Sequence, residues 1–194
     1  MKRFIGMAIM HMRTGVPLLA FCVAACATLP PTEQTPYLPA GVYGVYQDND
    51  VGAINQSAWA FASSANTAGN PVAAAKAVIA LEYLSGELRE NPRWVGMDQS
   101  VKLRMGQARD QLRQILGIHP DAPPQFVVNV LLALAWDLET GNQPAAMQML
   151  AAPVFIQPPV RTLQILSNLP YVQTANLATS RAESQSFASD GPRG

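Results

Sequence analysis

The clearest pattern in this chain is an apolar residue at every third or fourth position, the spacing of one face of an α-helix. Between residues 101 and 115 the successive spacings are four, three, four and three. These positions hold Val101, Met105, Ala108, Leu112 and Ile115. Asp98 or Ser100 is a suitable N-cap before this helix, and Gly117 is a suitable stop after it. A helix with one apolar seam requires other helices or a sheet to cover that seam.

The same period recurs along the rest of the chain. It predicts further helices over residues 51–65, 71–90, 126–138, 145–152, 160–168 and 171–183. Asn70 and Pro71 fit the N-cap and the first position of the second helix. The segment 126–138 has almost no polar face, which predicts a central core helix. No set of alternating segments could pair as strands, so the sequence predicts an all-α domain of six or seven helices in antiparallel hairpins.

A weak internal repeat bears on how these hairpins are arranged. Gly69-Asn70-Pro71-Val72-Ala73-Ala74 aligns with Gly141-Asn142-Gln143-Pro144-Ala145-Ala146, and an alanine-rich helix follows each turn. The second copy resembles a tetratricopeptide-type hairpin, although the tryptophan and tyrosine positions of that family are not reproduced. The resemblance implies a helical array, whereas the helix pattern alone fits an antiparallel bundle equally well.

The first 25 residues have the layout of a secretory signal peptide. Lys2, Arg3 and Arg13 form a positive start, and the uncharged, mostly apolar run 15–25 follows. At ~1.5 Å per residue this run covers about 17 Å, too little for a hydrocarbon core of roughly 30 Å. The long positive region leaves Met1, Met10 and Met12 open as the start.

The apolar run ends in Val23-Ala24-Ala25-Cys26, which resembles the lipobox of bacterial lipoproteins. The resemblance implies removal of residues 1–25 and attachment of diacylglycerol and an N-acyl chain to Cys26. Ala27 and Thr28 are not acidic, which in this family implies the outer membrane, facing the periplasm. The alternative is cleavage after Ala27 by ordinary signal peptidase, because Ala25-Cys26-Ala27 also fits its pattern, and a soluble periplasmic protein.

Processing changes the composition on which functional arguments depend. Loss of Lys2, Arg3 and Arg13 leaves ten basic against 13 acidic residues, a formal charge of −3. This balance gives no indication of nucleic-acid binding. Cys26, modified by lipid, and His119 are the remaining cysteine and histidine, so we expect no disulfide within the chain, no metal site and no non-covalent cofactor.

The mature chain divides by composition into three parts. Residues 26–50 are rich in proline and predict an extended tether, although Tyr43 and Tyr46 within it are expected to pack on the domain as irregular chain. Residues 51–186 form the predicted helical domain, and residues 187–194 a flexible tail.

Few side chains suggest catalysis. His119 follows a helix end, where we expect it to bond the last carbonyls rather than act as a base. Glu82, Glu87 and Glu90 lie along one predicted helix, and Asp137 and Glu139 lie at the end of another. Paired carboxylates support a hydrolase acting on envelope glycan only if they converge in a cleft. Exposure of these groups to solvent is the simpler interpretation.

A local concentration of positive charge is the other candidate site. Lys102, Arg109 and Arg113 share a face of the seam helix at spacings of seven and four, and could bind an anionic partner. A solvated helix face is the commoner meaning of such a pattern. Trp94, in a predicted loop, is either an exposed anchor for a partner or a side chain packed over helix ends.

Taken together, these features favour a lipid-anchored, non-enzymatic adaptor or scaffold protein of the cell envelope with a protein partner. The adaptor role comes by analogy with lipoproteins that carry helical hairpins. The alternatives are a carboxylate-dependent hydrolase and a carrier of a small apolar ligand.

Overall fold

A computed structural model describes residues 35–189 of the chain, with side chains as far as Phe187. The predicted all-α class is confirmed, because the described residues form seven α-helices and no sheet. The helices are α1 (Asn49–Ala62), α2 (Pro71–Glu90), α3 (Gln99–Leu116), α4 (Pro124–Glu139), α5 (Gln143–Leu150), α6 (Pro159–Ser167) and α7 (Gln173–Ser189). None of them, within residues 35–189, is both long and apolar enough to cross a membrane.

Helix α2 lies at the centre of the domain, where it contacts α1, α3, α4 and α6. Its short side chains allow this close approach on several sides, and five of its alanines are buried: Ala73, Ala74, Ala75, Ala77 and Ala80. The consecutive helices α3 and α4 do not contact each other. The arrangement is a bundle around one helix, since in a linear repeat array each unit packs only on its neighbours.

Helix α4 packs on α2 from the outside, so the prediction that residues 126–138 form the central helix is wrong. Val127, Leu131 and Leu134 face inward and are buried. Phe126 and Trp136 face outward and are 43% and 67% exposed. The apolar content of this helix therefore exceeds what the fold buries.

Two equivalent turns open α2 and α5, as the internal repeat predicts. Gly69 and Gly141 have φ values of +72° and +73°. Asn70 and Asn142 then accept hydrogen bonds from the backbone N–H groups of Ala73 and Ala145. Both turns thus use a glycine in the left-handed region and an asparagine N-cap.

The segment that precedes α1 packs on the domain, and α1 begins at Asn49, two residues before the predicted start of the helical domain. Pro36 and Leu38 are buried, and residues 35–48 are irregular in structure. Tyr43 packs as predicted, its hydroxyl donating to the Lys76 carbonyl at 3.2 Å. Tyr46 is fully exposed, contrary to the prediction. The rest of the predicted tether, residues 26–34, lies outside the described residues.

The path of this segment explains a glycine inside α2. A Cβ on Gly86 would lie 2.8 Å from the Thr35 Cα atom, so the backbone of the segment crosses α2 at this point. Helix α2 continues through Gly86 to Glu90, as the sequence predicts. At the other terminus α7 continues to Ser189, beyond the predicted end of the domain at residue 186.

Candidate functional site

The predicted cationic face of α3 is turned inward, against α2. The two helices run antiparallel, so Arg113 meets Glu82, Arg109 meets Ser85, and Gly106 lies beside Arg89. Lys102 and Arg113 are buried, and the Arg109 side chain is only 11% exposed. These side chains therefore do not form the solvated helix face that the pattern favoured, because Arg113 pairs with Glu82 of α2 and Arg109 bonds Ser85 of α2 and Asp110 of its own helix.

The pairing of Arg113 with Glu82 is bidentate. Arg113 Nε donates to Glu82 Oε1 at 2.7 Å, and Nη2 donates to Oε2 at 2.6 Å. Its Nη1 donates to the carbonyls of Pro120 and Ala122 at 2.7 and 2.9 Å. Burial raises the pKa of Glu82, while the adjacent guanidinium opposes that rise. This group joins α2, α3 and the loop that precedes α4, and it is engaged entirely by the protein itself.

Trp94 belongs to a second buried polar cluster rather than to an exposed loop. It is 2% exposed, and its indole Nε1 donates to Asp50 Oδ2 at 3.1 Å. Tyr83 Oη donates to Asp50 Oδ1 at 2.5 Å, and Arg93 Nη1 donates to Oδ2 at 3.1 Å. The Arg93 guanidinium also lies 4.8 Å from the centre of the Trp94 ring. Of the two alternatives for Trp94, the structure shows packing over helix ends.

Asp50 is the residue that sequence reasoning missed in this cluster. It lies in the first turn of α1, where an acidic residue is favoured by the helix dipole, and that position was the available signal. Burial, with the hydrogen bond to Asp50, raises the pKa of Tyr83. Burial also raises the pKa of Glu87, whose carboxylate accepts a hydrogen bond from Asn91. Three donors converge on Asp50, so its carboxylate fixes the start of α1 on α2.

Glu82 and Glu139, two of the candidate carboxylates, lie apart from each other. Glu82 faces α3, whereas Glu139 pairs with Lys76 at 2.6 Å between α4 and α2. His119 Nδ1 accepts a hydrogen bond from the backbone N–H of Asp121, and the last carbonyl of α3 accepts instead from the Gln157 side-chain amide. The predicted hydrogen bond from His119 to the helix end is therefore wrong. Among residues 35–189 no group of three or more His, Cys, Asp or Glu side chains is placed to hold a metal ion.

A surface groove of about 510 Å³ runs between α3 and α7. Both polar and apolar side chains line it: Ser100, Leu103, Arg104, Gln107, Gln173, Thr174 and Leu177. An apolar ligand carrier requires a cavity lined mainly by apolar groups. The groove is instead a mixed polar surface.

The outward side of α4 carries apolar side chains that the described part of the domain leaves uncovered. We define the outer face of α4 as Phe126, Asn129, Leu132, Ala133 and Trp136, which share one side of the helix. Leu132 and Ala133 are partly exposed, and Asn129 is exposed. Trp136 is one turn beyond Leu132, so the two side chains are neighbours. None of the sequence-predicted site residues lies on this face.

Cys26, the predicted lipid attachment site, lies outside the described residues. Comparisons with models of known protein families, with curated proteins and with solved structures found no match.

Proposed function

We propose that this chain is an outer-membrane lipoprotein whose helical domain acts as a non-enzymatic adaptor on the periplasmic side. Removal of the signal peptide exposes Cys26, which carries diacylglycerol and an N-acyl chain. The domain binds an envelope protein through the outer face of α4. The Val23-Ala24-Ala25-Cys26 motif supports the anchor.

The exposure of Trp136 is the observation that carries the adaptor role. Tryptophan and leucine are usually buried, and exposing a contiguous apolar helix face forgoes about 25 cal/mol for each Å² left in water. Trp136 is 67% exposed on a rigid helix whose inner side is fully packed. Aromatic side chains held in this way dominate the binding energy of protein interfaces.

The chemistry of this face indicates the kind of partner. Its centre is apolar, and Asn129 contributes one amide, which accepts a hydrogen bond from Gln125 at 2.8 Å. The acidic Glu139 at its edge is paired with Lys76. A partner that presents an apolar helix or strand without a dense charge pattern fits these groups.

Site-specific photocrosslinking in intact envelopes tests the adaptor role. A photoreactive phenylalanine analogue at Asn129 should form an adduct with one defined envelope protein. The same analogue at Gln114, exposed on α3, is the matched control and should not form this adduct. Trp136→Ala should abolish the adduct at Asn129 while changing the free energy of unfolding by less than about 0.5 kcal/mol, as is usual at exposed positions. Equal adducts at both sites, or none at Asn129, contradict the proposal.

Mass spectrometry of the protein from the same envelopes tests the anchor separately. The wild-type N-terminal peptide should begin at Cys26 and carry three acyl chains. A Cys26→Ser variant should incorporate no labelled palmitate. An N-terminus after Ala27 without lipid contradicts the anchor but leaves the crosslinking result valid.

A further inference from the structure

One end of the bundle holds both the start and the finish of the described chain. Thr35 Oγ1 donates to Glu90 Oε2 at 3.0 Å, at the last turn of α2. Tyr37 N donates to Gln125 Oε1 at 2.6 Å, in the first turn of α4. The chain therefore reaches the domain at the end where α2 finishes and α4 begins.

The last turns of α7 lie at the same end. The backbone N–H of Asp98, the N-cap of α3, donates to Gln185 Oε1 at 2.9 Å. Since α3 begins just beyond the end of α2, Gln185 and Phe187 are close to the loop that joins those two helices. The opposite end of the bundle holds the turns at Gly69 and Gly141.

Three apolar or aromatic side chains project into solvent at this first end, which we call the tip: Tyr37, Val95 and Phe187. They are 71%, 80% and 66% exposed, respectively. They come from three segments that are distant in sequence. One exposed apolar side chain is ordinary on a protein surface. Three of them at one end of the bundle, the end where the chain enters the domain, indicate a surface that contacts another molecule or a membrane.

Val95 lies between two residues that are fixed in the interior of the domain. Trp94 directly before it is buried and bonded to Asp50, and Met97 after it is also buried. Val95 is thus exposed between two buried residues, Trp94 directly before it and Met97 two residues after it. The acidic groups nearby are engaged within the protein, because Asp48 pairs with Arg93 at 2.9 Å and Asp98 caps α3.

We infer that the tip rests on the membrane surface, with Tyr37, Val95 and Phe187 in the headgroup region of the bilayer. The inference depends on the proposed lipid at Cys26. Thr35 lies nine residues after Cys26, and an extended chain covers at most ~3.6 Å per residue, so the anchor keeps the tip within about 32 Å of the bilayer. Aromatic and aliphatic side chains on a rigid support favour the boundary between headgroups and acyl chains.

This orientation also places the proposed partner surface. Helix α4 starts at the tip and runs away from it, so the outer face of α4 stands upright on the membrane. Its Trp136 end is then about 18 Å above Pro124 at ~1.5 Å per residue.

Quenching by brominated lipids tests the inference. The protein isolated from membranes is reconstituted into phosphatidylethanolamine–phosphatidylglycerol (3:1) vesicles whose acyl chains carry bromine. A tryptophan introduced by Val95→Trp should add fluorescence that is lost in these vesicles relative to vesicles of the same lipids without bromine, because a group at headgroup–acyl depth is close to the acyl chains. The matched control is Ala68→Trp, an exposed position at the opposite end, whose added fluorescence should not be quenched. Wild-type protein supplies the background of its own tryptophans.

The outcomes separate this inference from the anchor on which it depends. Unquenched fluorescence at residue 95 in a sample whose Cys26 is acylated by mass spectrometry overturns the membrane contact and leaves the anchor intact. Equal quenching at residues 68 and 95 also overturns it, because the tip is then not the membrane-facing end. A protein with unmodified Cys26 overturns the anchor and this inference together.

Discussion

Arg113 of α3 and Glu82 of α2 form a bidentate ion pair inside the domain, with N–O distances of 2.7 and 2.6 Å. Their side chains are 5% and 0% exposed. The third nitrogen of the guanidinium, Nη1, donates hydrogen bonds to the carbonyls of Pro120 and Ala122 in the loop before α4. One side chain thus links the central helix, a neighbouring helix and the connection that places α4 on the other side of α2.

Removal of Arg113 should be strongly destabilising. Arg113→Met leaves Glu82 buried without its partner, and such changes lower the free energy of unfolding by roughly 3–5 kcal/mol. The double variant Glu82→Leu/Arg113→Met should regain much of this loss, because no charge is left unpaired. The partly exposed pair Lys76–Glu139 is the matched control, and Lys76→Met should cost at most ~1 kcal/mol. Urea unfolding measures the free energy of unfolding of the three variants. Similar decreases for Arg113→Met and Lys76→Met contradict the expectation.

The loss caused by Arg113→Met should also depend on pH. Burial raises the pKa of Glu82 from its usual 4.5, and the guanidinium of Arg113 opposes that rise. In Arg113→Met this opposing interaction is absent. The folded state then binds a proton that the unfolded state releases, so stability is greatest below about pH 4.5 and falls as the pH rises through the folded-state pKa. Urea midpoints measured between about pH 4 and pH 8 should decrease for this variant. Glu82→Gln/Arg113→Met is the control, and an equal decrease there rules out Glu82 as the cause.

Loss of the Asp50 carboxylate should loosen the start of α1. Asp50→Ala removes the acceptor of the Tyr83 hydroxyl and the Trp94 indole, both in the interior. Buried donors left without an acceptor cost about 1–3 kcal/mol each. Thermal unfolding should show this loss, and the fluorescence of Trp94 should shift to the red as water reaches it. Asp110→Ala, which removes an exposed carboxylate, should change stability by less than ~0.5 kcal/mol. Unchanged fluorescence in Asp50→Ala would show that the cluster does not hold Trp94.

The two turn glycines should be sensitive to substitution for backbone reasons alone. A Cβ at Gly69 or Gly141 meets no atom within 4 Å, yet both residues have positive φ. Each Gly→Ala change should therefore cost roughly 1–2 kcal/mol through the left-handed conformation. Gly96 also has open space around it but no positive φ, so Gly96→Ala is the control and should be nearly neutral. Calorimetry distinguishes them, and equal effects at Gly69 and Gly96 contradict the argument.

Gly86 should be sensitive for the opposite reason. Gly86→Ala favours the helix by about 1 kcal/mol from propensity, but its Cβ meets the Thr35 backbone at 2.8 Å. Because backbone yields little, the segment 35–39 should detach from α2. Limited proteolysis should then cleave before Asn49 faster than in wild type. Protection equal to that of Gly96→Ala would show that the segment accommodates the methyl group.

Local sequence signals determined the helices of this protein. The spacing of Val101, Met105, Ala108 and Leu112, the Asn70 and Asn142 caps and the stop at Gly117 each act within a few residues. Such signals depend on backbone geometry and nearest neighbours, and so they can be recognised in one chain. Val23-Ala24-Ala25-Cys26 is likewise a local pattern, and the lipid anchor remains a prediction from it.

The tertiary structure alone decided which face of each helix is inside. The alanines of α2, rather than the larger side chains of α4, mark the central helix, because small side chains allow four neighbours to approach. The sequence favoured a surface position for Arg113 and left the position of Trp94 open, whereas in the structure Glu82 and Asp50, distant in sequence, give both residues buried partners. Burial of a charge depends on a partner brought by another helix, whereas helix formation depends on the segment itself. For the same reason the exposure of Trp136 became visible only when the packing of α4 on α2 was known.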